Sequence, residues 1–374
     1  MAQKIVTPAD LDFVLGKTLG HGVPGLVPAV QAFQAQGSPV YKQLMSFDVS
    51  VVIPSFNRGA LIGETIESIL AQTHPPAEVV VVDDGSTDDT ASIVGRYGGA
   101  VRYHRIDNLG PSAARNVGVS ISTGSWIAFC DSDDLWRPTK LERQCDLHAL
   151  APSVEYSFTD FSFVVSGEWL PGSRFSEAPV GFWEPERRVL ADKIWVYDAS
   201  LYGRILRFHP VAPTTVLISR SLFERLGRYD ERFSRGLSED LEFTLRCVGA
   251  PPIGVVAEPL AGIRKHAGNR SGDNIGSWLG QIAILEHALA AHDAAKTVAD
   301  VVLDEIQVRR ALAAARAFVL GRFDVTRQLA PSIDRSHRDW KLAIMIAIAS
   351  LPLPVAEGLR QVLVTAKQQL ARRI

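Results

Sequence analysis

Short runs of β-branched and aliphatic residues alternate, over the first half of the chain, with segments whose apolar side chains recur every three or four positions. Val49-Ser-Val-Val-Ile-Pro54 is nearly continuous in apolar residues, as a strand buried on both faces of a parallel sheet must be. From Gly59 to Ala71, Leu61, Ile62, Thr65, Ile66, Ile69 and Leu70 fall on one stripe of a helix. Glu78 to Val82 predicts a second strand, Val101 to His104 a third and Trp126 to Cys130 a fourth. Pro111 to Ser120 predicts a helix with proline in its first turn, where a missing N–H costs nothing. Strand-helix-strand repetition with short loops implies right-handed crossovers and a mostly parallel α/β sheet flanked by helices.

The pattern changes twice after that. Thr214 to Ser219 predicts another strand, and Leu237 to Arg246 an amphipathic helix with Glu239 and Asp240 in its first turn, where the backbone dipole favours acids. Beyond Asp273 the chain is rich in Ala and Leu, with helical spacing over Trp278 to Ala295 and Ala299 to Phe323. The organisation expected is an N-terminal extension over 1–47, an α/β domain over 48–272 and an α-helical C-terminal region over 273–374. Gly20-His-Gly22-Val-Pro-Gly25 has the spacing of a dinucleotide-binding loop. It lacks a strand before it and a helix opening at its end, so it reads as a loop.

Composition narrows the function classes. With 374 residues, 47% hydrophobic and 21% charged, a sizeable buried core is affordable. A net charge of −2 gives no reason to expect a nucleic-acid partner. Cys130, Cys145 and Cys247 are odd in number and scattered, which fits reduced thiols in a cytoplasmic protein. The first residues lack the apolar core of a signal peptide. No apolar run reaches the ~18 residues of a spanning helix; the nearest, Leu342 to Ala356, is interrupted by Ser350, Pro352 and Pro354. The tail from Leu359 to Ile374 carries Arg360, Lys367, Arg372 and Arg373 and no acid. It reads either as a basic amphipathic helix in peripheral contact with the cytoplasmic membrane face, or as a solvated helix packed on the rest of the protein.

The chemistry gathers past the strand ends: Ser55 and Asn57, then Asp83 and Asp84, then Asp131 and Asp133. In a parallel sheet these ends share one rim, where α/β folds bind ligands. Turn chemistry explains any one cluster and explains three in succession poorly. In Asp131-Ser132-Asp133-Asp134, three carboxylates repel one another within four positions. Mg²⁺ or Mn²⁺ relieves such crowding and brings phosphate oxygens with it, which suggests a metal-bound diphosphate.

Val-Ser-Val-Val-Ile-Pro-Ser-Phe-Asn-Arg, Val-Val-Asp-Asp-Gly-Ser-Thr-Asp-Asp-Thr, Asn108-Leu-Gly-Pro-Ser-Ala-Ala-Arg-Asn-Val-Gly and Asp-Ser-Asp-Asp-Leu-Trp together resemble the family 2 glycosyltransferases. The resemblance covers roughly residues 48–272. It implies a GT-A fold, a nucleotide-diphosphate sugar donor (a UDP-sugar favoured), a divalent metal and inversion at the anomeric carbon. It places Pro54, Ser55 and Asn57 around the nucleotide, Asp84 on the base and Asp83 in shaping that loop. Arg115 and Asn116 fall in a donor-side segment, with helix surface and helix cap as the plainer alternative. Asp131 belongs near ribose and metal, with Ser132 beside it on the donor side, and Asp133 on the metal itself. Asp240 matches the acid that deprotonates the acceptor hydroxyl, with Glu239 in support. His266 is a candidate further ligand of metal or diphosphate, and Arg264 or Arg270 a phosphate clamp.

The aromatic-rich segment Tyr156 to Pro213 divides between core and a wall for a sugar acceptor. The acceptor implied is a saccharide or lipid-linked saccharide in polysaccharide or cell-envelope biosynthesis. Two other classes compete: a non-catalytic nucleotide-sugar binding module, which has no use for every candidate acid, and a sugar-nucleotide-forming nucleotidyltransferase, whose early Gly-rich, Arg/Lys-bearing loop is missing. A processive synthase would need membrane spans and a Gln-x-x-Arg-Trp element, and neither occurs.

Overall fold

The computed structural model describes residues 47–234, 238–266 and 274–371, the side chains of 274 and 366–371 excepted. The loop at Gly20–Gly25, Arg270 and the charged side chains from Lys367 onward therefore lie outside the described residues. The strands are β1 (Val49–Ser55), β2 (Glu78–Asp83), β3 (Arg102–Arg105), β4 (Trp126–Phe129), β5 (Leu135–Trp136) and β6 (Tyr156–Val165). They continue as β7 (Glu168–Trp169), β8 (Arg187–Ala191), β9 (Ile194–Tyr197), β10 (Val216–Ser219) and β11 (Ile253–Arg264). They form one sheet in the order β3-β2-β1-β4-β10-β6-β11-β9-β8, with β5 on β11 and β7 on β6.

The first four strands are parallel, as their alternation with helices requires. The helix Gly59–Leu70 turns Ile62, Ile66 and Ile69 onto the sheet. The helix Pro111–Ile121 lies close on β1 because residue 118 is glycine: a Cβ there would come within 2.3 Å of Val52 Cγ1. From β5 onward the sheet is mixed. Among the described residues β6 and β11 pair in parallel, while six other pairings are antiparallel. The expected mostly parallel sheet thus holds for its first half only. The second half combines the hairpins β6–β7 and β8–β9 with long-range pairings of β10 and β11. Ser166 and Gly167, both at positive φ, make the two-residue turn from β6 to β7.

The aromatic-rich segment goes mostly to core: Tyr156, Phe158, Phe175, Trp183, Tyr197 and Tyr202 are buried together. The same hydrophobic cluster takes in Leu245 and Val248 of the helix Glu239–Val248. It continues into Ile284, Leu285 and Ala288 of the helix Asn274–Ala291 and Val302 and Ile306 of the helix Ala299–Val319. One core therefore runs from the sheet into the helices Asn274–Ala291 and Ala299–Val319. Cys130, Cys145 and Cys247 are buried and unbridged. No helix of the described residues is long and apolar enough to cross a membrane.

Candidate active site

The carboxyl ends of β1, β2 and β4 open into a cleft of about 980 Å³. Pro54, Ser55, Phe56, Asn57 and Arg58 follow β1 along its edge. Asn57 takes a left-handed backbone (φ 51°), which few residues other than glycine adopt readily. Its amide N–H donates to Ser86 Oγ (2.9 Å) and its Oδ1 accepts from Thr87 N (2.8 Å), so the loops after β1 and β2 are tied together. Asp83 is fully buried behind them, accepting from Ser86 N (2.7 Å) and the Tyr103 hydroxyl (2.5 Å). It does not line the cleft. Asp84 does, and its two oxygens accept from Leu109 N (2.7 Å) and Gly110 N (2.8 Å).

The acid loop after β4 is held from three sides. Asp131 Oδ1 pairs with Arg115 Nη2 at 2.8 Å. Asp133 Oδ2 receives Arg58 Nε at 3.1 Å and His266 Nε2 at 3.0 Å. Asp134 is buried: its Oδ2 accepts from the Thr214 hydroxyl (2.5 Å) and its Oδ1 from Arg264 N (3.1 Å). Desolvation, then the charges of Asp131 and Asp133, push its carboxyl well above the usual range. Thr214 Oγ1 also accepts from Asp131 N (3.1 Å), and Thr65 Oγ1 donates toward the carbonyls of Ser132 and Asp134. Asp134 therefore sets how far the Asp131–Asp133 turn stands from the strand end that carries His266.

Among the described residues no three His, Cys, Asp or Glu side chains converge on one metal position. Asp133 and His266 do meet, with Asp131 close in sequence and held by Arg115. Two protein donors suit an ion that draws several ligands from water and from substrate phosphates, as Mg²⁺ and Mn²⁺ do.

Across the cleft stands the helix Glu239–Val248. Glu239 Oε1 lies 3.4 Å from Arg115 Nη1. Asp240, half-buried, lines the cleft. Desolvation raises its carboxyl above the ordinary value; Arg115 and the Leu241 N–H pull it down, and Asp131 pushes it up. Arg115 is thus the hub of the site. It is 3% exposed, bridges the donor-side and helix-side acids, and lies 5.1 Å from the Tyr229 ring. Burial opposes its charge, but Asp131, Tyr229 and Glu239 outweigh burial and keep it a cation.

Asn116 is one residue further along the same helix and does not line the cleft. Its amide donates to Tyr229 O (2.9 Å) and Glu231 Oε1 (3.0 Å), and its Oδ1 accepts from Tyr229 N (3.0 Å). A step of one residue turns a helical side chain by about 100°, so Arg115 enters the cleft and Asn116 clamps the loop that carries Tyr229. Sequence reasoning passed over Arg58, Asp134, Thr214 and Tyr229. Arg58 and Asp134 stand inside the quoted motifs; Thr214 and Tyr229 sit in segments without a chemical signature. His209 and Arg174 complete the far wall, where burial, then Arg174 and Arg309, lower the imidazole to about 4. Asp134→Ala strands the Thr214 hydroxyl and the Arg264 N–H. It is expected to cost ~1–3 kcal/mol in thermal denaturation, with Asp134→Asn losing less.

The family model described as glycosyl transferase family 2 matches residues 50–211. That segment is similar to the family 2 glycosyltransferases. Among curated relatives, the putative teichuronic acid biosynthesis glycosyltransferase TuaG of Bacillus subtilis strain 168 is 38% identical over 135 residues, 35% of this chain and 53% of that protein. An uncharacterized glycosyltransferase of Rickettsia felis is 30% identical over 225 residues, 60% of this chain and 34% of that protein. The chain spans about half the length of the first and a third of the second. Among solved structures, S. aureus TarS 1-349 in complex with UDP-GlcNAc superposes with a TM-score of 0.58 at 20% identity, covering 78% of this chain and 82% of that one. The same protein with UDP gives 0.57, covering 84% and 91%. At that identity the likeness concerns the fold, and the fold is GT-A.

Proposed function

We propose that this glycosyltransferase transfers a sugar from a UDP-sugar to a hydroxyl of a saccharide or lipid-linked saccharide, with inversion, in cell-envelope polysaccharide synthesis on the cytoplasmic side. The observation that carries the proposal is that Asp131, Asp133 and Asp240 face one cleft, with Arg115 between them. A cleft of about 980 Å³ has the size of a small-molecule site. The UDP and UDP-GlcNAc named with the TarS structures, and the teichuronic acid named with TuaG, support the choice of donor and pathway class.

In this reading the loops joined by Asn57 and Asp84 receive the nucleotide. Mg²⁺ or Mn²⁺, held by Asp133 and His266 with Asp131 beside them, would neutralise charge on the diphosphate. Asp240 takes the proton of the acceptor hydroxyl as that oxygen attacks from the side opposite the leaving group. Glu239, held by Arg115, orients the acceptor. Both reacting groups must sit in near-attack geometry, which the wall from Phe161 to Pro213 provides. A binding module has no use for a cleft-facing carboxyl raised in pKa, which favours an enzyme.

Calorimetry tests this directly. UDP is expected to bind in the presence of Mn²⁺ or Mg²⁺, ahead of GDP and dTDP, and to lose binding in EDTA. Asp133→Asn should weaken metal-dependent UDP binding roughly tenfold or more, a contact to a charged group being worth ~1.5–3 kcal/mol. Tight, EDTA-insensitive UDP binding would overturn the metal assignment, and preference for another nucleotide the donor assignment.

A further inference from the structure

We infer that the helices Trp340–Ala349 and Leu353–Ala371 form a hairpin whose outer face rests on an anionic lipid surface. From Leu342 to Ala349 the first helix carries no polar side chain. A helix apolar on every side belongs in a core, yet only Leu342 and Ala349 of this one are buried. Trp340 (69% exposed) and Ile344 stand outward four positions apart, on one face, and Leu351 is exposed just past the helix end. On the second helix Val355, Leu359, Val362 (65%) and Leu363 repeat that spacing, with Leu353 (65%) at the bend. Among the described residues, eight of the nineteen exposed large hydrophobics fall within these 24 positions, so they make a patch and not a scatter.

The inner face fixes the patch in place. Phe318, Phe323, Ala349 and Ala356 close a small core beneath it, and Leu342 packs with Ala314 and Ile333. Sequence charge selects the occupant. Positions 340–374 hold Lys341, Arg360, Lys367, Arg372 and Arg373 against a single acid, Glu357, which Arg360 already pairs. A second copy docked through the same face would bring positive charge against positive charge, whereas anionic headgroups complement it. Over the described residues neither helix is long and apolar enough to cross a bilayer, so the hairpin lies in the interface with its apolar stripe toward the lipid. None of its described residues lines the cleft. The inference does not depend on the donor or the reaction proposed above.

Vesicle flotation of the full chain tests it, using pure phosphatidylcholine and mixed phosphatidylcholine–phosphatidylglycerol vesicles at low and high salt. The expected result is at least about tenfold stronger binding to the mixed vesicles, lost at high salt. Ile344→Glu, Leu353→Glu and Val362→Glu together should abolish it, while thermal melting and UDP binding stay unchanged because all three side chains face outward. Lys367→Gln, Arg372→Gln and Arg373→Gln together should remove the preference for anionic lipid. Failure to bind either vesicle, or unaltered binding by the triple-Glu protein, would overturn the inference. So would a lipid-free dimer in sedimentation equilibrium that the triple-Glu protein cannot form, which assigns the face to a second copy.

Discussion

Asp240→Asn is expected to lower sugar transfer by about 10²–10⁴ while leaving UDP affinity near that of the unaltered protein. Asparagine keeps the size of the side chain and its bond from the Leu241 N–H, and removes only the basicity. Asp240 also stands apart from the side chains that meet at Asp133, so donor binding has no reason to change. The pH profile carries a second signature. Desolvation holds the Asp240 carboxyl above its ordinary value. A base must be deprotonated, so transfer should fall as pH drops through that raised value, earlier than an exposed aspartate would dictate. Glu239→Gln should cost less, because in the proposed mechanism Glu239 orients the acceptor and does not take the proton. If Glu239→Gln abolished transfer and Asp240→Asn spared it, the two roles would have to be exchanged.

The contrast between these neighbours shows what a linear pattern can carry. The strand ends that deliver Asn57, Asp84 and Asp133 were legible because β-branched runs alternate with helical stripes, and topology then brings their ends to one rim. Asp134 was not legible in the same way. Its burial depends on Thr214 and Arg264, 80 and 130 positions away, which arrive through long-range strand pairings without a strong periodic signal. The twelve-residue strand β11 went unread for that reason, since its register is set by β6 and β9 and not by its own spacing. Arg115 and Asn116 share one motif, and only the rotational phase of their helix on β1 decides which of them enters the cleft.

Arg115→Met is expected to be the most damaging single change to the site's stability. It removes the cation between Asp131 and Glu239 and leaves a nearly buried glutamate facing a like charge. Breaking a buried pair by removing one partner costs ~3–5 kcal/mol; because Asp131 remains a third exposed, the lower end of that range applies. Lysine cannot substitute, since one ammonium lacks the planar fork that reaches both acids. Thermal denaturation should therefore place Arg115→Lys near Arg115→Met, and adding Glu239→Gln to Arg115→Met should restore part of the loss. Full stability in Arg115→Met would show that the two acids do not need their shared cation.

The family match ends at residue 211, but the acid proposed as the base stands at 240, on a helix braced from behind by side chains between 282 and 306. Similarity in sequence and the working unit thus have different edges. The matched part holds the proposed grip on the nucleotide, while the seat of the proposed base is cast by helices that the match does not reach. Grafting another protein's C-terminal helices onto this sheet would tilt the floor under Asp240, and a change far from any ligand would be felt as altered acceptor chemistry.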